Sequence, residues 1–146
     1  IKVVCMKIIE TVIAHGHENI QATHKTTFEI TKETQLSRKG NCIIAVSANK
    51  SALDLNSEFR KNLHKKNARI TILIRAGDAF DIVKAWGTHQ LFLTHPTAIV
   101  VRKSSYTCNK TLAIRANKAA NDLSRKLVER LTNSQRKVHI TFILEI

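Results

Sequence analysis

Residues 22–30 read ATHKTTFEI, and residues 93–101 read LTHPTAIVV. The same Thr-His-any-Thr pattern thus leads twice into an apolar, β-branched run. Sliding the chain on itself by 71 places Val12, Ala14, Gly16, Thr23, His24, Thr26 and Lys32 on Val83, Ala85, Gly87, Thr94, His95, Thr97 and Lys103. Sliding it by 68 places Ala45, Ala48, Asn49, Lys50, Ala52, Asp54, Leu55 and Leu63 on Ala113, Ala116, Asn117, Lys118, Ala120, Asp122, Leu123 and Leu131. The first half carries the extra residues, in a polar stretch near Glu33–Asn41 where insertion is cheap. Ordered matches over most of a chain are the mark of a duplicated unit.

Each half then reads alike. A strand ends near a shared glycine (Ile8–Ala14, Phe80–Ala85), and a second follows the T-H-x-T motif (Thr26–Thr31, Thr97–Arg102). A third is short (Cys42–Ser47, Thr111–Arg115), and a helix is expected to start at Asn49 or Asn117. A last strand closes each half (Arg69–Arg75, Lys137–Leu144). Ala52, Leu55, Phe59 and Leu63, and Ala120, Leu123, Leu127 and Leu131, recur at helical spacing. Strand–helix–strand predicts a right-handed crossover and a parallel pair in each half. Gly77-Asp78 is a hairpin-turn signal between the halves. The expected fold is α+β and β-rich: one domain over 1–146, built from β-β-β-α-β repeats at about 8–76 and 79–146. It is expected to form one pseudo-twofold mixed sheet or a closed barrel carrying two helices.

Charge is the strongest compositional fact. Lys and Arg total 24 against 11 Asp and Glu, a formal net charge of +13. Split after Gly77, the halves hold 13 basic and 6 acidic residues, then 11 and 5, so the excess is +7 and +6. Such an even excess attracts polyanions, nucleic acid above all. Aromatic residues are only 5%, which disfavours a stacking platform for single strands and suits backbone-directed binding to structured RNA.

The shared polar residues are the candidate site. Thr23, His24, Lys25, Thr26, Thr94, His95 and Thr97 surround the repeated motif. Proline at 96 forces extended geometry on His95 and predicts the same for His24, putting His24 and Thr26 on one strand face. They either bind a ligand or hydrogen-bond loop backbone. Lys25 stands where the other half has Pro96, so the scaffold does not demand it. Asn49 and Asn117 sit where helix N-caps belong. Lys50 and Lys118 follow, in a first turn whose dipole opposes cations, and suggest an anion held by lysine and free helix N–H groups. Arg60, Lys61, Lys65, Lys66, Arg125, Lys126, Arg130, Arg136 and Lys137 gather late in each helix. They are either a solvated face or a two-lobed phosphate-tracking surface. Gly16 and Gly87 predict positive φ or a bulge.

Seven histidines include the pair His15 and His17, but the spacing matches no metal signature, so no metal or other cofactor is expected. No P-loop, G-x-S-x-G or H-E-x-x-H is present, and the chain reads as a binding protein more than an enzyme. Cys42 or Cys108 beside a histidine is the remaining nucleophile candidate. The spread cysteines, Cys5, Cys42 and Cys108, fit a reduced cytoplasmic setting, and no apolar run reaches a membrane span. Met6 reads as the natural start, with residues 1–5 an artefact of cutting, and the apolar C-terminus reads as a cut end.

ETVIAHGHENIQATHKTTFEITKE, CIIAVSANKSALDL, LTHPTAIVVRKS and KTLAIRANKAANDL together resemble a largely archaeal family, domain of unknown function 371. The resemblance runs from about Met6 to the end. It implies an archaeal cytosolic protein and carries no assigned reaction or binding residue. The leading expectation is a basic module for phosphate-rich ligands, structured RNA foremost. The alternative is a small-ligand protein or enzyme with His24 and His95 in one central cleft. A third reading is an assembly subunit whose exposed strands pair with a neighbour.

Overall fold

The computed structural model describes residues 6–146. Cys5 and the reading of residues 1–5 as foreign lie outside the described residues. In chain order the elements are β1 (Lys7–His15), β2 (Thr27–Thr31), β3 (Ile43–Ala45), α1 (Ser57–Leu63), β4 (Arg69–Ala76), β5 (Ala79–Trp86), β6 (Ala98–Arg102), β7 (Thr111–Ala113), α2 (Arg125–Leu131) and β8 (Lys137–Glu145). A single 3-10 turn, Ala120–Asp122, precedes α2.

The class is α+β, but the expected single sheet or closed barrel is corrected. Two four-stranded sheets form, ordered β1-β8-β4-β5 and β3-β2-β6-β7. The first is antiparallel throughout. The second pairs β2 with β6 antiparallel at its centre and adds β3 and β7 in parallel at its edges. The sheets meet at two single bridges, His15–Val46 and Trp86–Ile114. The ladders stop there because the next backbone groups turn to other partners. His17 N–H donates to the Leu131 carbonyl at 2.9 Å, and Gly87 N–H to the Ala68 carbonyl at 2.9 Å.

Those turns explain the shared glycines, and not as expected. Neither Gly16 nor Gly87 has positive φ; among glycines, Gly77 does, in the β4–β5 hairpin the sequence predicted. A Cβ on Gly16 would lie 2.3 Å from the Asn133 carbonyl oxygen, and one on Gly87 2.2 Å from that of Leu63. Each glycine lets the end of a helix sit directly on a strand end. The helix comes from the other half of the chain in both cases: α2 on Gly16, α1 on Gly87.

The inward faces alternate as β-strands require. Ile70, Ile72 and Ile74 on β4 and Val138, Ile140, Phe142 and Leu144 on β8 are buried. Phe59 and Leu63 of α1 and Leu127 and Leu131 of α2 cover them, with the Phe59 and Phe142 rings edge-to-face at 6.4 Å. The outward face of this sheet keeps Ile9, Phe80 and Ile82 exposed.

The helices begin eight residues later than expected. The apolar face was read correctly, since Ala52, Leu55, Ala120 and Leu123 are buried, but those residues precede the helices. Asp54 folds back to accept from Ser51 N–H and Oγ, both at 2.9 Å, and this turn interrupts helix formation. The caps are Asn56, whose Oδ1 accepts from Glu58 N–H at 2.8 Å, and Ser124, whose Oγ accepts from Leu127 N–H at 3.4 Å. The expected helical crossover between parallel strands also fails. β3 and β4 belong to different sheets, and the parallel pairs are β2–β3 and β6–β7, joined without a helix.

Candidate functional site

The T-H-x-T segments lie in bends before β2 and β6, not on strands. In each the imidazole folds back on its own chain. His24 Nδ1 accepts from Thr26 N–H at 3.2 Å. His95 Nδ1 accepts from Thr97 N–H at 3.2 Å and Ala98 N–H at 3.0 Å. The backbone is held too: Thr23 and His24 N–H reach the Asn41 carbonyl, and Thr94 and His95 N–H reach that of Asn109. The His24 carbonyl accepts from Asn121 N–H and that of His95 from Leu53 N–H, tying each bend to the other half. Thr23, Lys25 and Thr94 are exposed, and no hydrogen bond to the Lys25 side chain occurs among the described residues.

The two histidines stand at opposite ends of one strand pair. β2 and β6 pair with Thr27 opposite Arg102 and Thr31 opposite Ala98. His24 and His95 each precede the first residue of their strand by three positions, at opposite ends of this ladder. Four strand steps of ~3.3 Å, about 13 Å, lie between the ladder ends. That register counts against a joint site for both imidazoles.

Asn49 and Asn117 cap strand edges instead of helices. Asn49 Oδ1 accepts from Ile13 N–H at 3.0 Å, and its own N–H donates to the Ile13 carbonyl at 2.9 Å. Asn117 does the same to Lys84, at 2.9 Å in both directions. Each side chain blocks the outer edge of β1 or β5 at that point, which weakens the edge-pairing reading.

Lys50 and Lys118 are likewise occupied. Lys50 Nζ pairs with Glu10, which is buried, and Lys118 Nζ lies 2.5 Å from Asp81 Oδ1. The second oxygens of these carboxylates accept from Asn56 N–H (3.1 Å) and Ser124 N–H (2.8 Å), the helix cap residues. The anion expected beside these lysines is therefore an internal carboxylate. Glu10 and Asp81 coincide under the shift of 71 but differ in type, so a search for identical residues passes over them. Lys32–Asp54 (3.0 Å) and Lys103–Asp122 (3.2 Å) add two more pairs.

These contacts set the acid response. Ser51 N–H and Lys32 bring Asp54 down to about 2, and Arg130 and Lys126 bring Asp78 down to about 2. Burial pushes Asp81 up, but Lys118 and the Ser124 N–H outweigh it and lower the group. The Ala119 N–H and Lys103 lower Asp122. Groups depressed in the fold stabilise it above their unfolded pKa near ~3.9 and lose that contribution as pH falls through the folded value. Thermal melts are expected to hold steady from pH 6 to about 4 and to drop steeply between about 4 and 2. A melting temperature that falls mainly above pH 5 would contradict this assignment.

The cations expected late in each helix divide sharply, and Arg125 and Lys126 instead open α2. In the second half Arg125 donates to the Ala22, Ala120 and Leu123 carbonyls, while Lys126 and Arg130 hold Asp78. In the first half Lys65 and Lys66, just past α1, stay exposed and form no ion pair among the described residues. They border a cleft of about 750 Å³ with His64, Trp86, His89 and Arg115. Among the described residues no acidic side chain lines it. Gly87 borders it, where the end of α1 sits against the end of β5. His64 Nε2 donates to the Leu91 carbonyl at 2.7 Å and ties the loop after α1 to the segment after β5. Arg115, at φ 52, lays its guanidinium 5.4 Å from the Trp86 ring centre. Ser105 also borders the cleft, and its neighbour Tyr106 is exposed beneath the Arg102 guanidinium, 5.0 Å away. The sole tryptophan and sole tyrosine thus occur at or next to one basic cleft. A reading built on residues common to both halves misses it, because Trp86 falls on His15 and Arg115 on Ser47 under the shifts.

The nucleophile candidates separate by environment. Burial and Glu29 push the Cys42 thiol up. Burial also acts on Cys108, but the Lys110 N–H, the Thr111 hydroxyl and the Arg102 guanidinium outweigh it and lower the thiol. Arg102 Nη2 donates to its Sγ at 3.4 Å. Iodoacetamide at neutral pH is expected to label Cys108 about tenfold faster than Cys42, read by peptide mass spectrometry. Equal rates would contradict the difference in environment.

Fold and cleft define a two-sheet α+β domain carrying an acid-free basic cleft beside a single tryptophan. The chain belongs to the domain of unknown function 371 family, which matches residues 12–145. It is 44% identical over 126 residues to an uncharacterized protein of the archaeon Methanocaldococcus jannaschii, covering 86% of this chain and 92% of that one. No helix among the described residues is long and apolar enough to cross a membrane.

Proposed function

We propose that this protein is a cytoplasmic binding module for phosphate-rich ligands, and that its ligand is structured RNA gripped at the Trp86 cleft. The observation that carries the reading is the acid-free cleft lined by Lys65, Lys66 and Arg115. Cations with no internal partner are the ones available to release counterions from a phosphate backbone. Trp86 under Arg115 offers a flat cationic ledge for one unpaired base, and its isolation suits a loop or bulge more than a long single strand. A cytoplasmic setting fits the free thiols of Cys42 and Cys108. The test is fluorescence anisotropy with a labelled RNA hairpin at rising salt. Affinity should fall along a straight line of log K against log salt. Affinity indifferent to salt, or no binding at low salt, would remove the proposal.

We infer also that the scaffold is a duplicated unit with a pseudo-twofold axis through the β2–β6 pair. Supporting this are the matching strand orders and the paired contacts of Asn49 and Asn117, Lys50 and Lys118, and Gly16 and Gly87. On this reading the common frame is structural, and binding belongs to the residues that broke the symmetry.

A further inference from the structure

We propose a second anion site, for a phosphate monoester, in the cleft between the β4–β5 hairpin and the start of β8. The cleft measures about 440 Å³ and is bordered by Arg75, Gly77, Arg136, Lys137 and His139. Among the described residues no acidic side chain borders it. Its shape follows from the hairpin: Gly77 has φ +63, and a Cβ there would lie 2.7 Å from Arg136 Nη1 and 3.0 Å from Cζ. The guanidinium of Arg136 therefore rests on the bare backbone of the turn.

That guanidinium is incompletely satisfied. Arg136 Nε is buried and has no hydrogen-bond partner. Among the described residues one other buried side-chain atom shares that state, Nδ1 of His15. Strand register sets His15 beside Lys137 and Arg75 beside His139, so both unsatisfied atoms fall at this end of the sheet. A buried donor without an acceptor loses its hydration and gains nothing in return. The acid next to Gly77 in the turn, Asp78, is already held by Arg130 at 2.9 Å and Lys126 at 3.3 Å. Arg75, Arg136 and Lys137 make no ion pair among the described residues. With no acid beside them, the cations of this cluster favour an anionic ligand.

A guanidinium fork matches a phosphate oxygen pair. Two arginines and a lysine suit a dianion better than a single carboxylate. The volume lies within the usual range of small-ligand sites, roughly 300–1,000 Å³, so it leaves room for a small group esterified to the phosphate. The site is separate from the Trp86 cleft, which adjoins the opposite end of β4, and it stands whether or not RNA binds there.

Isothermal titration of the whole chain with inorganic phosphate and with adenosine 5′-monophosphate tests the proposal. Both should bind, the monoester more tightly, and phosphate should raise the melting temperature. Arg136→Lys keeps the charge and removes the fork; it should weaken phosphate binding about tenfold or more. Arg75→Gln, on the exposed end of β4, should also weaken it without lowering the melting temperature in phosphate-free buffer. A variant replacing Lys65, Lys66 and Arg115 should bind phosphate as the parent does, which separates this site from the RNA reading. No binding up to about 10 mM phosphate, or binding unchanged in both arginine variants, would overturn it.

Discussion

Gly87→Ala should lose about 4 kcal/mol of stability, a large share of the ~5–15 kcal/mol that holds a typical domain folded. The added methyl would stand 2.2 Å from the Leu63 carbonyl oxygen and 3.1 Å from the Ala68 Cβ. Both neighbours are fixed. Leu63 is the fully buried last residue of α1, and the Ala68 carbonyl accepts the Gly87 N–H. Relief would require moving the helix end off the sheet, which opens the core around Phe59. Gly40→Ala is the matched control. Its methyl would meet Leu36 Cδ1 at 2.7 Å, the far end of a flexible side chain, and should cost under about 1 kcal/mol. Urea unfolding of the two variants makes the comparison. Similar midpoints would contradict the helix-seat role given to Gly87.

The second large effect falls on binding. Replacing Lys65, Lys66 and Arg115 together with glutamine should lower RNA affinity about 100-fold near 0.1 M salt and make the salt slope shallower by about 2–3. Stability should barely change, because none of the three makes an ion pair among the described residues. Lys50 and Lys118 give the opposite pattern. They hold the partly or fully buried carboxylates of Glu10 and Asp81, so their loss should destabilise the fold and leave the salt slope of the surviving protein intact. An unchanged slope in the triple variant would move the interface away from this cleft.

Much of the scaffold was legible. The eight strands of the described residues lie within a few residues of the expected runs, because β-branched alternation and the shared glycines mark them. The helix positions were misjudged for a physical reason. The spacing of Ala52, Leu55, Phe59 and Leu63 reports burial on one side, and a capped turn followed by a helix satisfies it as well as one continuous helix. Closure was misjudged because single bridges at His15 and Trp86 leave no trace in periodicity. The proposed site was obscured by the same comparison of halves that located the strands. Comparing halves gives weight to His24, His95, Asn49 and Lys50, whose contacts turn out to hold backbone and edges. Trp86, Lys65, Lys66 and Arg115 have no such echo. The signal was present in the run His64, Lys65, Lys66 and in the isolated tryptophan, but only the fold brings them together.

For RNA binding at the Trp86 cleft, as proposed, the chain carries its own reporter. Trp86 is the single tryptophan, half-buried beneath Arg115. Titrating the protein with an RNA hairpin should quench or shift its emission, saturating at the same RNA concentration as the anisotropy and reversing on added salt. Emission that stays constant while anisotropy reports full binding would place the RNA elsewhere and contradict the account.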